Sequence, residues 1–244
     1  MSLLDIGTVR AITRYPVKSM AGESLAAAPL RWVGIDGDRQ YAFYCAANTS
    51  RFPWLTGRDV PAMVIHAARY LDPADPRRSP VRIAAPDGSE CDVGDPRLCA
   101  ALAEAAGEAV RLLQLGRGAF DSMPVSVVST ATGARLAQSC ENAGNLRRFR
   151  PNIVLDIAPG LGTDETGWIG SALVFGEGAA PPRLRINTRI ERCAMVTLDP
   201  DTAAKDAAVM RRVVEDFDNL VGVYCAVEAL GTIAVGDRVR LAAP

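Results

Sequence analysis

Histidine and lysine are nearly missing from this 244-residue chain: His66 is the single histidine, and Lys18 and Lys205 are the two lysines among 27 basic residues. One histidine makes a structural zinc site improbable, and any Ser-His or Cys-His triad would depend on His66, with no GxSxG elbow or Cys-His signature to support it. The cysteines, at 45, 91, 99, 140, 193 and 225, form no CxxC pair, and in a reducing compartment their even number implies no disulfides. Neither GxGxxG nor a Walker-type GxxxxGKS/T loop occurs, so a dinucleotide or P-loop site has no support. No apolar run approaches the roughly 20 residues of a membrane helix. The amino terminus lacks the basic flank, apolar stretch and cleavage site of an export signal, so a cytoplasmic protein is expected. A net charge of −1 sets up no general field for nucleic acid, and any anion site has to be local.

A hydrophobic fraction of 49% is ample for a buried core. The arginine excess reads as a bias that replaces lysine wherever either serves, so a surviving lysine, Lys18 above all, marks a place where a compact ammonium is wanted. Most of the chain reads as strands. DIGTVRAITRYPV alternates and then meets a proline; SLAAAPLRWV and RQYAFYCAA follow; PAMVIHAARY and PVRIAAPDGSE read as a pair, with His66 a core imidazole. DPRLCAALAEAAGE starts on an aspartate and has helical apolar spacing. VSVV runs into STATGARLAQSC as a strand entering a capped helix. RFRPNIVLDI opens on a proline, RLRINTRIERCAMVTL holds one or two strands, and DTAAKDAAVMRRVVEDF is a helix with Met210, Val213, Val214 and Phe217 on one face. The chain closes on VYCAVEAL and RVRLAAP around GTIAVGD, a hairpin signal. Many strands with few helices predict a mixed, mainly β, barrel-like fold and not a doubly wound sheet.

Polar clusters stand at the ends of these strands. YPVKSMAG offers Lys18 and Ser19, GIDGDRQY offers Arg39, STAT offers Ser129 and Thr130, FRPNIV offers Arg150 and Asn152, and IERC offers Arg192 and Cys193. Cationic donors, hydroxyls at a helix start, an amide and a soft thiolate suit a phosphate-bearing anion together with a thiophilic metal. Arg147 and Arg148 read as a solvated basic face.

In order and spacing, YPVKS, the GDRQY strand, FRPNIV, Trp168, RCAMVTLDP and GTIAVGDRV resemble the MOSC proteins, over nearly the whole chain. The resemblance implies a β-barrel with an amino-terminal β subdomain, divided as residues 1–115 and 116–244, with a site formed by both. It implies a molybdenum pyranopterin (Mo-molybdopterin) cofactor and, by analogy with the amidoxime-reducing members, Cys193 as metal ligand and catalytic centre. Lys18, Ser19, Arg39, Arg150 and Asn152 would hold the pterin and its phosphate, Ser129 and Thr130 would contribute at the helix start, and Arg192 and Tyr224 would lie close by. Thr56 and Arg58 match a further family element, for which the resemblance implies a structural role. Ile190 stands where the reductases often carry a second cysteine, and Glu191 adds an acid beside Cys193. The loop DIAPGLGTDETGWIGSALVFGEGAAPP differs from the reductase version, so the small-molecule substrate stays open. No flavin, haem or ferredoxin motif appears, so electrons would come from a separate donor protein. The alternative is a non-catalytic carrier of the cofactor, or of sulfur as a persulfide on Cys193.

Overall fold

The computed structural model describes residues 3–158 and 165–244. Part of the variable loop that bears on substrate identity, residues 159–164, lies outside them. Seven strands close into a barrel in the order Ile153–Ile157, Val125–Ser129, Leu220–Ala229, Arg183–Glu191, Ala172–Phe175, Arg238–Ala242 and Leu3–Arg14, the last pairing back onto the first. All neighbours are antiparallel except Val125–Ser129 and Ile153–Ile157, which run parallel, the chain crossing between them through the helix Thr130–Ser139. Inward residues such as Ile6, Val127, Leu155, Leu184, Val223 and Val239 fill the barrel at 1% exposure or less. Full burial of each such side chain is worth about 1.5–3 kcal/mol.

The long first strand bends at register shifts between Asp5 and Gly7 and between Val9 and Ala11, and pairs along its length with Arg238–Ala242, Ile153–Ile157 and Glu23–Leu25. Gly7 sits at φ 140°, and a Cβ there would fall 1.9 Å from the Asp156 carbonyl oxygen. The amino-terminal half therefore contributes a stave to the barrel of the other half. Its remainder packs around Val17, Met20, Phe43, Leu55, Met63 and Leu102. This second core lies under the ribbon Tyr41–Cys45/Val110–Gln114, the small sheet Ala67–Tyr70/Val81–Ala84/Glu90–Asp92, and helix α1 (Pro96–Ala106). Asp95 caps α1 by accepting from the Arg97 N–H. Helices α2 (Thr130–Ser139) and α3 (Ala207–Phe217) bury Leu136, Val209, Val213 and Phe217 against the barrel.

Several expectations from the sequence need correction. Residues 61–65 form a 3-10 turn ahead of the strand Ala67–Tyr70, and His66 sits at the turn's end, half-buried, its Nδ1 2.7 Å from the Ala62 carbonyl. Helix α3 begins at Ala207, capped by Asp206, and turns Val209 inward while leaving Val214 48% exposed. The final strands do not form a hairpin with each other: Gly231–Ala234 leaves to pair with Ala27–Arg31, and Arg238–Ala242 enters the barrel between the first strand and Ala172–Phe175. Alternation cannot distinguish these partners, because every candidate strand offers the same pattern. No helix among the described residues is long and apolar enough to cross a membrane.

Candidate functional site

A cavity of about 570 Å³ opens where the end of the first strand, the coil 118–123, the turn Leu146–Phe149 and the end of the strand Arg183–Glu191 converge. Lys18, Ser19, Arg39, Arg150, Asn152, Arg192, Cys193 and Tyr224 all line it. Ser19, Arg39 and Arg150 hold the left-handed backbone conformation, at φ 67°, 51° and 52°. That costs a non-glycine residue on the order of 1–3 kcal/mol and is sustained here by surrounding bonds. Arg39 donates its N–H to the Tyr15 carbonyl at 2.6 Å, and Arg150 donates its own to Arg147 at 3.1 Å.

Lys18 is 5% exposed; its Nζ donates to the Ala119 carbonyl at 2.8 Å and to Asp121 Oδ1 at 2.5 Å. Burial lowers its pKa, against the opposing pull of Asp121. Arg39 pairs with the buried Asp38 carboxylate and reaches Asn152 Oδ1 at 3.3 Å and the Arg150 carbonyl at 3.2 Å. Asn152, 1% exposed, is a hub: its Oδ1 also accepts from the Ser126 N–H and hydroxyl, and its Nδ2 donates to the Thr13 carbonyl. The side chain of Asn152 thereby ties the first strand to Val125–Ser129 beneath the cavity floor.

Arg192 is anchored from behind by Nε to the Val221 carbonyl at 2.8 Å and Nη1 to the Phe149 carbonyl at 2.9 Å. Gly222, at φ 77°, leaves room for it, since a Cβ would meet Arg192 Nη2 at 3.2 Å and the Val127 carbonyl at 2.8 Å. Burial pushes both Arg150 and Arg192 down to about 10, with Arg39 lowering Arg150 further, so both stay charged at neutral pH. The Nη2 atoms of Arg150 and Arg192 are buried without a hydrogen-bond partner among the described residues. Such donors carry a standing cost of about 1–3 kcal/mol each until something accepts from them. Cys193 follows as an exposed thiol at the start of the 3-10 turn Ala194–Thr197, on the same wall. Tyr224, on the neighbouring strand, has its hydroxyl raised by burial, with Asp121 pushing the same way.

The structure sets two of the sequence-selected residues apart from the cavity. Ser129 is fully buried and caps α2, its Oγ accepting from the Thr132 N–H, while its own N–H donates to Glu165. Thr132 Oγ1 donates to the same carboxylate, 2.9 Å from Oε2. Thr130, half-buried, bonds Asp156 at 2.9 Å. A protein carboxylate thus already occupies the helix N-terminus that would otherwise attract a phosphate. Arg148 is another correction: it is 5% exposed, bonded to Asp199 at 2.8 Å and to the carbonyls of Asn142 and Thr197, while Arg147 alone forms the solvated pair, with Asp201. Thr56 and Arg58 line the far side, Thr56 Oγ1 bonding Asp59 and Arg58 standing over the Phe52 ring.

Asp121 and Ser126 are site residues that sequence reasoning passed over. Ser126 was detectable as a hydroxyl inside the otherwise apolar run VSVV; Asp121 carried no signal within a stretch that reads as a turn. Besides Lys18, Arg39, Arg150 and Arg192, the lining holds Arg58, Arg148 and Arg189, against only Asp121 and Glu191. On a protein whose net charge is −1, this is a local concentration of positive charge. The donor set fits an anion with several acceptor oxygens next to a centre that takes a thiolate. The other cysteines differ in kind: Cys225 is fully buried with its thiol pushed far up, and burial raises Cys45 to about 11.

Residues 6–121 match the MOSC N-terminal beta barrel domain and residues 115–240 the MOSC domain. Mitochondrial amidoxime reducing component 2 of Bos taurus is 24% identical over an alignment of 290 residues, covering 97% of this chain and 84% of that protein. The crystal structure of the YuaD protein from Bacillus subtilis superposes with a TM-score of 0.51 at 14% identity, covering 100% of this chain and 98% of that one, a likeness of fold. The chain belongs to the MOSC domain family.

Proposed function

We propose that this protein binds a molybdenum cofactor in the Lys18–Cys193 cavity and reduces N-hydroxylated or N-oxygenated compounds. In this reading it works in the cytoplasm with electrons delivered by a separate donor protein. The observation that carries the proposal is the pairing, in one cavity, of two buried guanidinium nitrogens without partners among the described residues and one exposed thiol. Family membership and the amidoxime reducing relative support it.

Lys18, Ser19, Arg39 and Arg150 hold the anionic pterin phosphate, and Asn152 keeps Arg39 aimed. Arg192, anchored through Nε and Nη1, offers its third nitrogen to the ligand and its charge to the Cys193 thiolate. Tyr224 closes the wall beside them, and Cys193 is the metal ligand. When bound, the cofactor supplies a two-electron redox centre that a protein side chain cannot provide. In the overall reaction the substrate N–O bond breaks, two electrons and two protons enter, and the oxygen leaves as water.

The exposure of Cys193 also suits a second reading, a carrier that passes on the cofactor or holds sulfur as a persulfide. Molybdenum content by elemental mass spectrometry, on wild type and Cys193→Ser prepared side by side from a cofactor-producing host, tests the binding. Near-stoichiometric metal in the wild type and its loss in the variant are expected; a wild type free of both metal and pterin rejects the proposal. Turnover of an N-hydroxylated compound with an artificial electron donor then separates enzyme from carrier, because a loaded carrier gives none.

A further inference from the structure

Tyr15, the first residue of YPVKS, is 5% exposed and enters no role in the reading above. Two of the cavity guanidiniums stand over its ring, Arg39 at 4.8 Å and Arg150 at 4.3 Å from the centroid. Its position is fixed at three points: the N–H donates to Asp38 Oδ1 at 2.8 Å, the carbonyl accepts from the Arg39 N–H, and the hydroxyl donates to the Pro151 carbonyl at 3.2 Å. Asp38 is also the carboxylate that pairs with Arg39, and Arg39 donates to the Arg150 carbonyl. One ring from the amino-terminal half thus gathers two like charges that come from opposite halves of the chain.

Two buried guanidiniums repel each other, and one carboxylate cannot neutralise both. The negative face of an aromatic ring attracts each cation without accepting a hydrogen bond from it, so it competes neither with the bonds Arg39 makes to Asp38, Asn152 and the Arg150 carbonyl nor for Arg150 Nη2, which has no partner among the described residues. An aliphatic residue of similar size would fill the same space and offer no such attraction.

We infer that Tyr15 is a positioning residue of the anion site, whose ring holds Arg39 and Arg150 side by side and keeps Arg150 Nη2 available to an incoming phosphate group. The inference rests on the anion-binding part of the proposed function and adds to it the device that assembles the site. It predicts that the ring matters and the hydroxyl does not.

The test is titration of the full chain with inorganic pyrophosphate by calorimetry at several salt concentrations, for wild type, Tyr15→Phe and Tyr15→Leu, each first checked for a cooperative thermal transition. Tyr15→Phe should bind within threefold of wild type, and Tyr15→Leu roughly tenfold more weakly, the worth of about one desolvated cation–π contact. In the Tyr15→Leu background, Arg150→Lys should cost less than it does in wild type, since the stacking it removes is already gone. If Tyr15→Leu does not fold, Tyr15→Met, whose flexible thioether fills irregular gaps, takes its place. Wild-type affinity in the leucine or methionine variant overturns the inference, and so does a Tyr15→Phe as weak as Tyr15→Leu. A wild type that binds no pyrophosphate removes the anion-site reading itself, and the inference with it.

Discussion

Replacing Glu165 with alanine removes the acceptor for two buried donors at once, the Ser129 N–H and the Thr132 hydroxyl, at the N-terminus of α2. Glu165 is 2% exposed, so water cannot readily substitute. Hydrogen bonds to a charged acceptor are worth about 1.5–3 kcal/mol each, and the carboxylate also complements the helix dipole. Against this stands the desolvation cost of the buried charge, which the substitution relieves. A net loss of about 3 kcal/mol is expected. In a chain of this length that lowers the melting midpoint by roughly 6–12 °C. Glu165→Gln keeps one oxygen acceptor and should lose only about a third as much. Urea unfolding followed by far-ultraviolet circular dichroism, with calorimetry for the midpoint, measures both variants. An alanine variant within 1 kcal/mol of wild type would refute the reasoning. A glutamine variant as unstable as alanine would show that charge, and not acceptor geometry, does the stabilising.

Two further outcomes follow from the cavity. Lys18→Met should weaken inorganic phosphate binding at least tenfold and flatten its salt dependence, since a buried ammonium supplies a charge-assisted bond that a thioether cannot; titration calorimetry across salt concentrations checks it. Asp121 governs a pH effect: its side chain is 62% exposed, and although partial desolvation beside the cavity works to raise its carboxyl, Lys18, by charge and hydrogen bond, holds it below the ordinary value. A carboxyl lowered in the folded state contributes stability that is present above the ordinary value near 3.9 and lost as pH falls through the folded one. Wild type should therefore lose more stability than Asp121→Asn as pH drops through that acid window, as read by urea midpoints at successive pH values.

Much of the site was legible in one dimension because its residues sit at strand ends marked by proline or glycine. Pro16 precedes Lys18, Pro151 separates Arg150 from Asn152, and Gly37 precedes Arg39. The role of Ser129 was legible only in part: a helix cap is visible in sequence, but the carboxylate that occupies the same helix end comes from Glu165, 36 residues away. Arg148 beside Arg147 looked like one basic face. Only packing shows that Arg148 turns inward to Asp199 while its neighbour turns out to Asp201.

The sequence by itself determined that this is a β-rich chain with few helices, short of the motifs for nucleotide or zinc chemistry, in which Cys193 and a scattered set of cations are the residues to watch. Local periodicity and turn chemistry carry the strands and helices, because they depend on neighbours in the chain, whereas Cys193 stands out only through the resemblance of its motif to the MOSC proteins. Tertiary structure alone decided that Leu3–Arg14 completes a barrel built otherwise from the distant half, and that Gly231–Ala234 crosses to Ala27–Arg31. Only the fold also brings the ring of Tyr15 under both Arg39 and Arg150. These are choices among strands of like pattern and cations of like charge. They are settled by which arrangement buries the most apolar surface and leaves the fewest buried donors unpaired, a sum over the whole chain that no window of sequence contains.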